Sequence, residues 1–229
     1  MIALLALLLT TADRPGITVK ESRVAMAKLA ACMVELKHDA IAKEILADNS
    51  SDKMRSTFIR MLDAKSCPGD RNAAGAILVM MLSESAHFAM AEALVSSDLA
   101  APVSSLSGAP RIPNSTFDSS VYEPRPNRKY SDEQIRNLRL NADRARYLSD
   151  LSKVGECVVR SDTANAHSLL LSPVESSLES LRFAALKPAV SKCLPSGRSF
   201  SLDKAMLRGA VGYNFYRLAK AAALPEVTR

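Results

Sequence analysis

The stretch Thr18-Val19-Lys20-Glu21-Ser22-Arg23-Val24-Ala25-Met26-Ala27-Lys28-Leu29-Ala30-Ala31-Cys32-Met33-Val34-Glu35-Leu36 decides the fold class. It opens with a threonine three places ahead of a glutamate. That is the spacing of a capping box, in which each side chain satisfies a backbone N–H that the first helical turn leaves without a partner. Ala25, Leu29, Cys32 and Leu36 then recur at helical spacing and predict a buried stripe that carries Cys32. A second capping box is spelled by Ser131-Asp132-Glu133-Gln134. Ser172-Pro173-Val174-Glu175 adds a proline at the first helical position, where its missing N–H costs nothing. Met54, Phe58, Met61 and Leu62 supply the apolar face of a further helix. Alternation of period two is nowhere sustained, so the expectation is an all-α fold.

Composition agrees. Of 229 residues, 48% are apolar and 24% charged, which excludes wholesale disorder, collagen and a polytopic membrane protein. Aromatics make up 5% and Trp is absent, so the core must be aliphatic and rich in Met and Ala. Eight glycines and eleven prolines are few for the many turns of an all-β fold. The length suits one large domain or two small ones.

Residues 1–12 read as a signal-peptide-like segment. Met1 to Leu9 are almost all Ala, Leu and Ile, and the small residues Thr10, Thr11 and Ala12 follow, with cleavage expected after Ala12. Such a run is too short to span a bilayer core, which needs about twenty apolar residues. No Lys or Arg precedes it. The expected destination is the periplasm or the exterior.

Four cysteines, Cys32, Cys67, Cys157 and Cys193, fit that compartment. None belongs to a C-x-x-C, which argues against a zinc ribbon or a thioredoxin-type site. Three connectivities are open from spacing alone. An internal duplication chooses among them. An offset of about 125 aligns Cys157 with Cys32, Val159 with Val34, Leu170-Leu171 with Ile45-Leu46, Leu207 with Leu82 and Tyr213 with Phe88. Cys193 aligns with Cys67 after a one-residue insertion, and Cys67-Pro68-Gly69 matches Cys193-Leu194-Pro195-Ser196-Gly197 in kind. The reading is two tandem units of about four helices, 18–96 and 131–224, stapled by Cys32–Cys67 and Cys157–Cys193. Between them, 97–130 holds five of the eleven prolines and many serines and reads as a linker, either extended or wrapped over both units.

The net charge of +6 is uneven. Residues 1–100 hold eleven basic and twelve acidic groups, residues 101–160 ten and seven, and residues 161–229 nine and five. Arg125, Arg128, Lys129, Arg136 and Arg139 are the candidate contacts to an anionic surface, either a lipid headgroup layer or an envelope polymer. Interleaved acids make i,i+4 pairs, Arg139 with Asp143 and Arg146 with Asp150, which equally describe a solvated helix face. Few aromatics accompany these charges, so nucleic acid is a poor fit.

No catalytic constellation stands out. Glu84 and His87 form one E-x-x-H, but Gly209 and Gly212 occupy the matching places in the second unit, and a di-iron bundle needs two such motifs. Those two are therefore expected on a polar helix face. The S-x-x-K pairs Ser50/Lys53 and Ser201/Lys204 lack the companion motifs of penicillin-binding enzymes and read as helix starts. Tyr213, Phe215 and Tyr216 are either core or a docking patch. No cofactor, metal or catalytic residue is expected.

The segments Val154-Gly155-Glu156-Cys157-Val158-Val159-Arg160, Cys193-Leu194-Pro195-Ser196-Gly197 and Leu207-Arg208-Gly209-Ala210, with Tyr213 after them, carry a resemblance. The second unit resembles small exported all-helical proteins of alphaproteobacteria that have no assigned activity. The first unit is similar more loosely, with Leu82-Ser83-Glu84-Ser85 in place of the last motif. The resemblance implies export and a duplicated two-Cys helical unit, and it brings no functional residues. The expectation for function is a non-catalytic binding or scaffolding protein of the bacterial cell envelope, with a peptide or protein partner in a helical groove. The alternatives are an envelope hydrolase with carboxylates dispersed in sequence, and a basic helical nucleic-acid-binding protein.

Overall fold

The computed structural model describes residues 18–47, 67, 85–113, 117–195 and 202–223. Among them are six α-helices and no strand: α1 (Val19–Leu46), α2 (Ser85–Asp98), α3 (Asp132–Ser161), α4 (Thr163–Leu170), α5 (Ser177–Cys193) and α6 (Lys204–Ala223). A 3-10 helix, Ser119–Tyr122, lies against α3.

Helix starts follow the capping chemistry at Thr18 and Ser131, where both halves of each capping box are formed. The third expected start is displaced. Ser172 is not an N-cap, because its hydroxyl donates back to the Leu169 carbonyl at 2.6 Å. The chain then turns through Glu175 at φ 62°, and α5 begins at Ser177 with Ser176 as its cap. Glu175 is the one non-glycine with positive φ among the described residues.

The stripe on α1 is also corrected. The buried positions are Met26, Leu29, Ala30, Met33 and Val34, then Ile41 and Ile45, while Leu36 is 48% exposed. The reading by fours was rotated by about one residue from the true face. At Lys37 the helix breaks (φ −137°, ψ 32°), which lets the second half re-aim its apolar side.

Every residue of α6 from Leu207 to Ala219 is buried, so this helix is the axis of the core. It packs chiefly on α3 and α2, and α1 packs on α2. A helix covered on all sides needs small residues where backbones approach. A Cβ on Gly209 would stand 2.5 Å from Phe88 Cβ, and one on Gly155 would stand 2.6 Å from the Ala210 backbone. Tyr213, Phe215 and Tyr216 fill the core, each at most 1% exposed.

The disulfides pair Cys32 with Cys67 and Cys157 with Cys193, with Cα separations of 5.8 and 5.7 Å. After α2 the chain runs over the body rather than away from it. Leu106 and Phe117 insert into the core, and Arg160 donates to the Ala109 and Pro110 carbonyls at 2.6 and 2.8 Å. The expected helix containing Met54, Phe58, Met61 and Leu62 lies outside the described residues, as do residues 1–12, Ser50, Lys53, Glu84 and Ser201.

Candidate functional site

A groove of about 440 Å³ opens between α1, α2, the α4–α5 connection and the start of α6. Its volume falls in the range of small-molecule and side-chain pockets, ~300–1,000 Å³. Helical periodicity builds two of its walls. Met26, Ala27 and Ala31 recur on one side of α1, and Phe88, Ala89 and Ala93 on the facing side of α2. Leu170, Leu171 and Val174 close one end, and Met206 lines the α6 side. Most of the lining is apolar.

Into this apolar wall is set an ionic network. Arg208, buried on α6, uses its whole guanidinium fork. Its Nε donates to Glu92 Oε2 at 2.6 Å, Nη1 to Glu179 Oε1 at 2.9 Å and to Ser172 Oγ at 3.3 Å, and Nη2 to the Leu170 and Ser172 carbonyls at 3.1 and 2.9 Å. Glu179 bridges to a second guanidinium, accepting from Arg23 Nη2 at 2.9 Å. Arg23 Nη1 also donates to Glu175. The left-handed backbone at Glu175 is held partly by its own N–H, which donates to Glu179 Oε2 at 3.0 Å. One network thus joins α1, α2, α5 and α6 and the turn before α5. Burial pushes the Glu92 carboxyl above the usual carboxylate range, and the Arg208 charge offsets only part of that rise.

None of these five charged residues is among the sequence-predicted site residues. A faint signal existed at Arg208, a charge inside a run of small and apolar residues, Leu207 to Gly212, where a solvated arginine has no place. Glu92, Glu175, Glu179 and Arg23 sit in ordinary amphipathic contexts, and only their meeting in space marks them.

The predicted basic residues lie elsewhere. Arg125, Arg128 and Lys129 are exposed on the segment before α3, and Arg136 and Arg139 are exposed on its first half. The Arg128 guanidinium stands 5.3 Å from the Tyr130 ring centre. Leu140, 66% exposed, follows them on α3. Asp143 pairs with Arg146 at 2.7 Å and Asp150 with Lys153 at 3.2 Å, both three residues apart, in place of the expected Arg146–Asp150 contact.

The three histidines have separate settings. His87 is not on a polar face: it is 3% exposed and packed among Phe88, Phe117 and Tyr213 with ring centres 4.8–5.9 Å away. Its Nε2 has no partner among the described residues, and burial holds its pKa down at about 3. His167 stacks on Phe215 and meets the Leu99 carbonyl through Nε2 at 2.6 Å. His38 contacts Asp98 through Nε2 at 2.6 Å, and Asp98 also accepts from Tyr216 at 2.8 Å and Lys220 at 2.7 Å. Among the described residues no three His, Cys, Asp or Glu side chains are grouped to hold a metal ion. No helix among them is long and apolar enough to cross a membrane.

No protein-family model, no curated protein and no solved structure matches the chain.

Proposed function

We propose that this is an exported, non-catalytic binding or scaffolding protein of the bacterial cell envelope, which holds a peptide or partner helix in the groove between α1 and α2. The observation that carries the reading is the groove itself: an apolar trough whose arginines and glutamate are held in one ionic network. A hydrolase of the dispersed-carboxylate kind needs two acids converging on a shared space. Here Glu92 and Glu179 converge on Arg208 instead. Facing helix surfaces that present small side chains leave room for the knobs of a third element.

Export is supported by two disulfides, which persist in oxidising compartments. Duplication is supported by helix pairing. α1 with α2, and α3 with α6, are the matching pairs on the 125 offset, and each packs extensively. The offset also equates Phe88 with Tyr213, whose rings meet edge to face at 6.0 Å between α2 and α6. That is the contact expected where two copies of one unit meet. We further propose that the exposed basic residues before and on α3 meet anionic lipid or polymer, a second surface separate from the groove.

The test of the groove uses Ala31→Trp. Ala31 lines the groove yet is exposed, so a bulky ring there fills the trough without disturbing the core. Amphipathic helical peptides titrated calorimetrically into the oxidised full chain should bind, and the variant should lose that binding while keeping its unfolding midpoint. Equal binding by the variant would overturn the reading.

A further inference from the structure

We infer that the groove's occupant is a peptide segment that presents one lysine or arginine side chain from an otherwise apolar surface. This rests on the reading of the groove as a binding site and adds the chemistry of what it binds.

The network contains three carboxylates, Glu92, Glu175 and Glu179, and two guanidiniums, Arg23 and Arg208. At Arg208 the donors are spent. All the N–H groups of Arg208 are engaged, on two carboxylates, one hydroxyl and two carbonyls. Glu92 receives one hydrogen bond among the described residues, from Arg208 Nε onto Oε2. Its Oε1 has none, and Glu92 lines the groove with 18% of its side chain exposed.

An apolar ligand covering the groove would strip water from Glu92 Oε1 and return nothing. An anionic ligand would find Arg208 already saturated, Arg23 held by Glu175 and Glu179, and the Glu92 carboxylate facing it. An ammonium or guanidinium replaces the lost water and offsets the excess of carboxylates over guanidiniums, to which Asp203 at the start of α6 adds one more. The rest of the ligand must be apolar, because the walls are Ala, Met, Phe and Leu. The α1 wall runs from Arg23 to Ala31, about 12 Å at 1.5 Å per residue, which matches two turns of a helix better than a compact amine.

The probe is a short amidated leucine–alanine helical peptide with one central lysine, compared with versions carrying norleucine or glutamate there, titrated into the oxidised full chain. The lysine peptide should bind about tenfold tighter than the norleucine peptide, and the glutamate peptide weakest. Glu92→Gln keeps the bond to Arg208 Nε and removes the charge, so it should erase the lysine preference over norleucine. Equal affinity for all three peptides on the native chain would overturn the cation inference while leaving a binding groove. No binding by any of them, or a mass that doubles with concentration and excludes them all, would overturn both. The peptide series on the native protein suffices should Glu92→Gln fail to fold.

Discussion

Arg208 and Glu179 stand 2.9 Å apart, one on the central helix and one on α5, with only 4% and 5% of their side chains in contact with solvent. Two charges so deeply placed are tolerated only together. Arg208→Leu leaves Glu179 and Glu92 facing an apolar side chain and should cost about 3–5 kcal/mol. Arg208→Leu combined with Glu179→Leu should recover part of that loss. Urea unfolding of the four proteins of the cycle, with disulfides intact, measures both effects.

Helix approach makes a sharper forecast. Gly155→Ala drives a methyl group to within 2.6 Å of the Ala210 backbone, which cannot rotate away. It should destabilise by about 1–3 kcal/mol. Gly108→Ala, with nothing within 4 Å of the new methyl, should be neutral. The difference in unfolding midpoint between the two variants is the readout.

His87 gives the protein an acid-sensitive core. Its folded pKa, about 3, lies below the 6.5 of the free side chain, so the folded state binds this proton less readily than the unfolded one. The stability it contributes is complete above about pH 6.5 and is lost as pH falls from there toward 3, on the order of 5 kcal/mol in all. His87→Leu should flatten that part of the stability–pH curve relative to the native chain. A curve of unchanged slope would contradict it.

Asp98 and His38 act in opposite pH windows. Burial disfavours the Asp98 charge, but hydrogen bonds from Lys220, His38 and Tyr216 outweigh it and bring the pKa to about 2. Its contribution is therefore present above about pH 3.8 and lost as pH falls through 2. His38 is raised by Asp39 and then Asp98, so its contribution is full below 6.5 and fades as pH rises through the folded pKa. Asp98→Asn should lower the His38 pKa, read directly from its ring protons by NMR.

Disulfide connectivity is checked by thiol labelling. Cys157→Ser should expose Cys193 to alkylation and leave Cys67 unlabelled. Loss of a loop closure across 36 positions should cost about 3–4 kcal/mol in the chain-entropy treatment.

The all-α class, two capping boxes and both disulfide pairings were legible because each rests on local spacing or on a repeated pattern. Local rules failed at Ser172, where a proline-bearing start signal lost to a tertiary demand. Ser172 offers both its hydroxyl and its carbonyl to Arg208, which holds the backbone in a turn. They failed again at His87, because a single E-x-x-H does not tell which side of α2 meets Phe117 and Tyr213. The groove was invisible for the same reason. Arg23, Glu92, Glu179 and Arg208 come from four helices, and no spacing rule relates them.

A peptide seated between α1 and α2 must touch the side chains that line the groove. An isotope-filtered NMR spectrum of the oxidised chain, with methyl labels on Met and Ala, bound to the lysine peptide, reads those contacts. The account predicts intermolecular contacts from Met26, Ala27, Ala89 and Met206. Contacts confined to other methyl groups would contradict it.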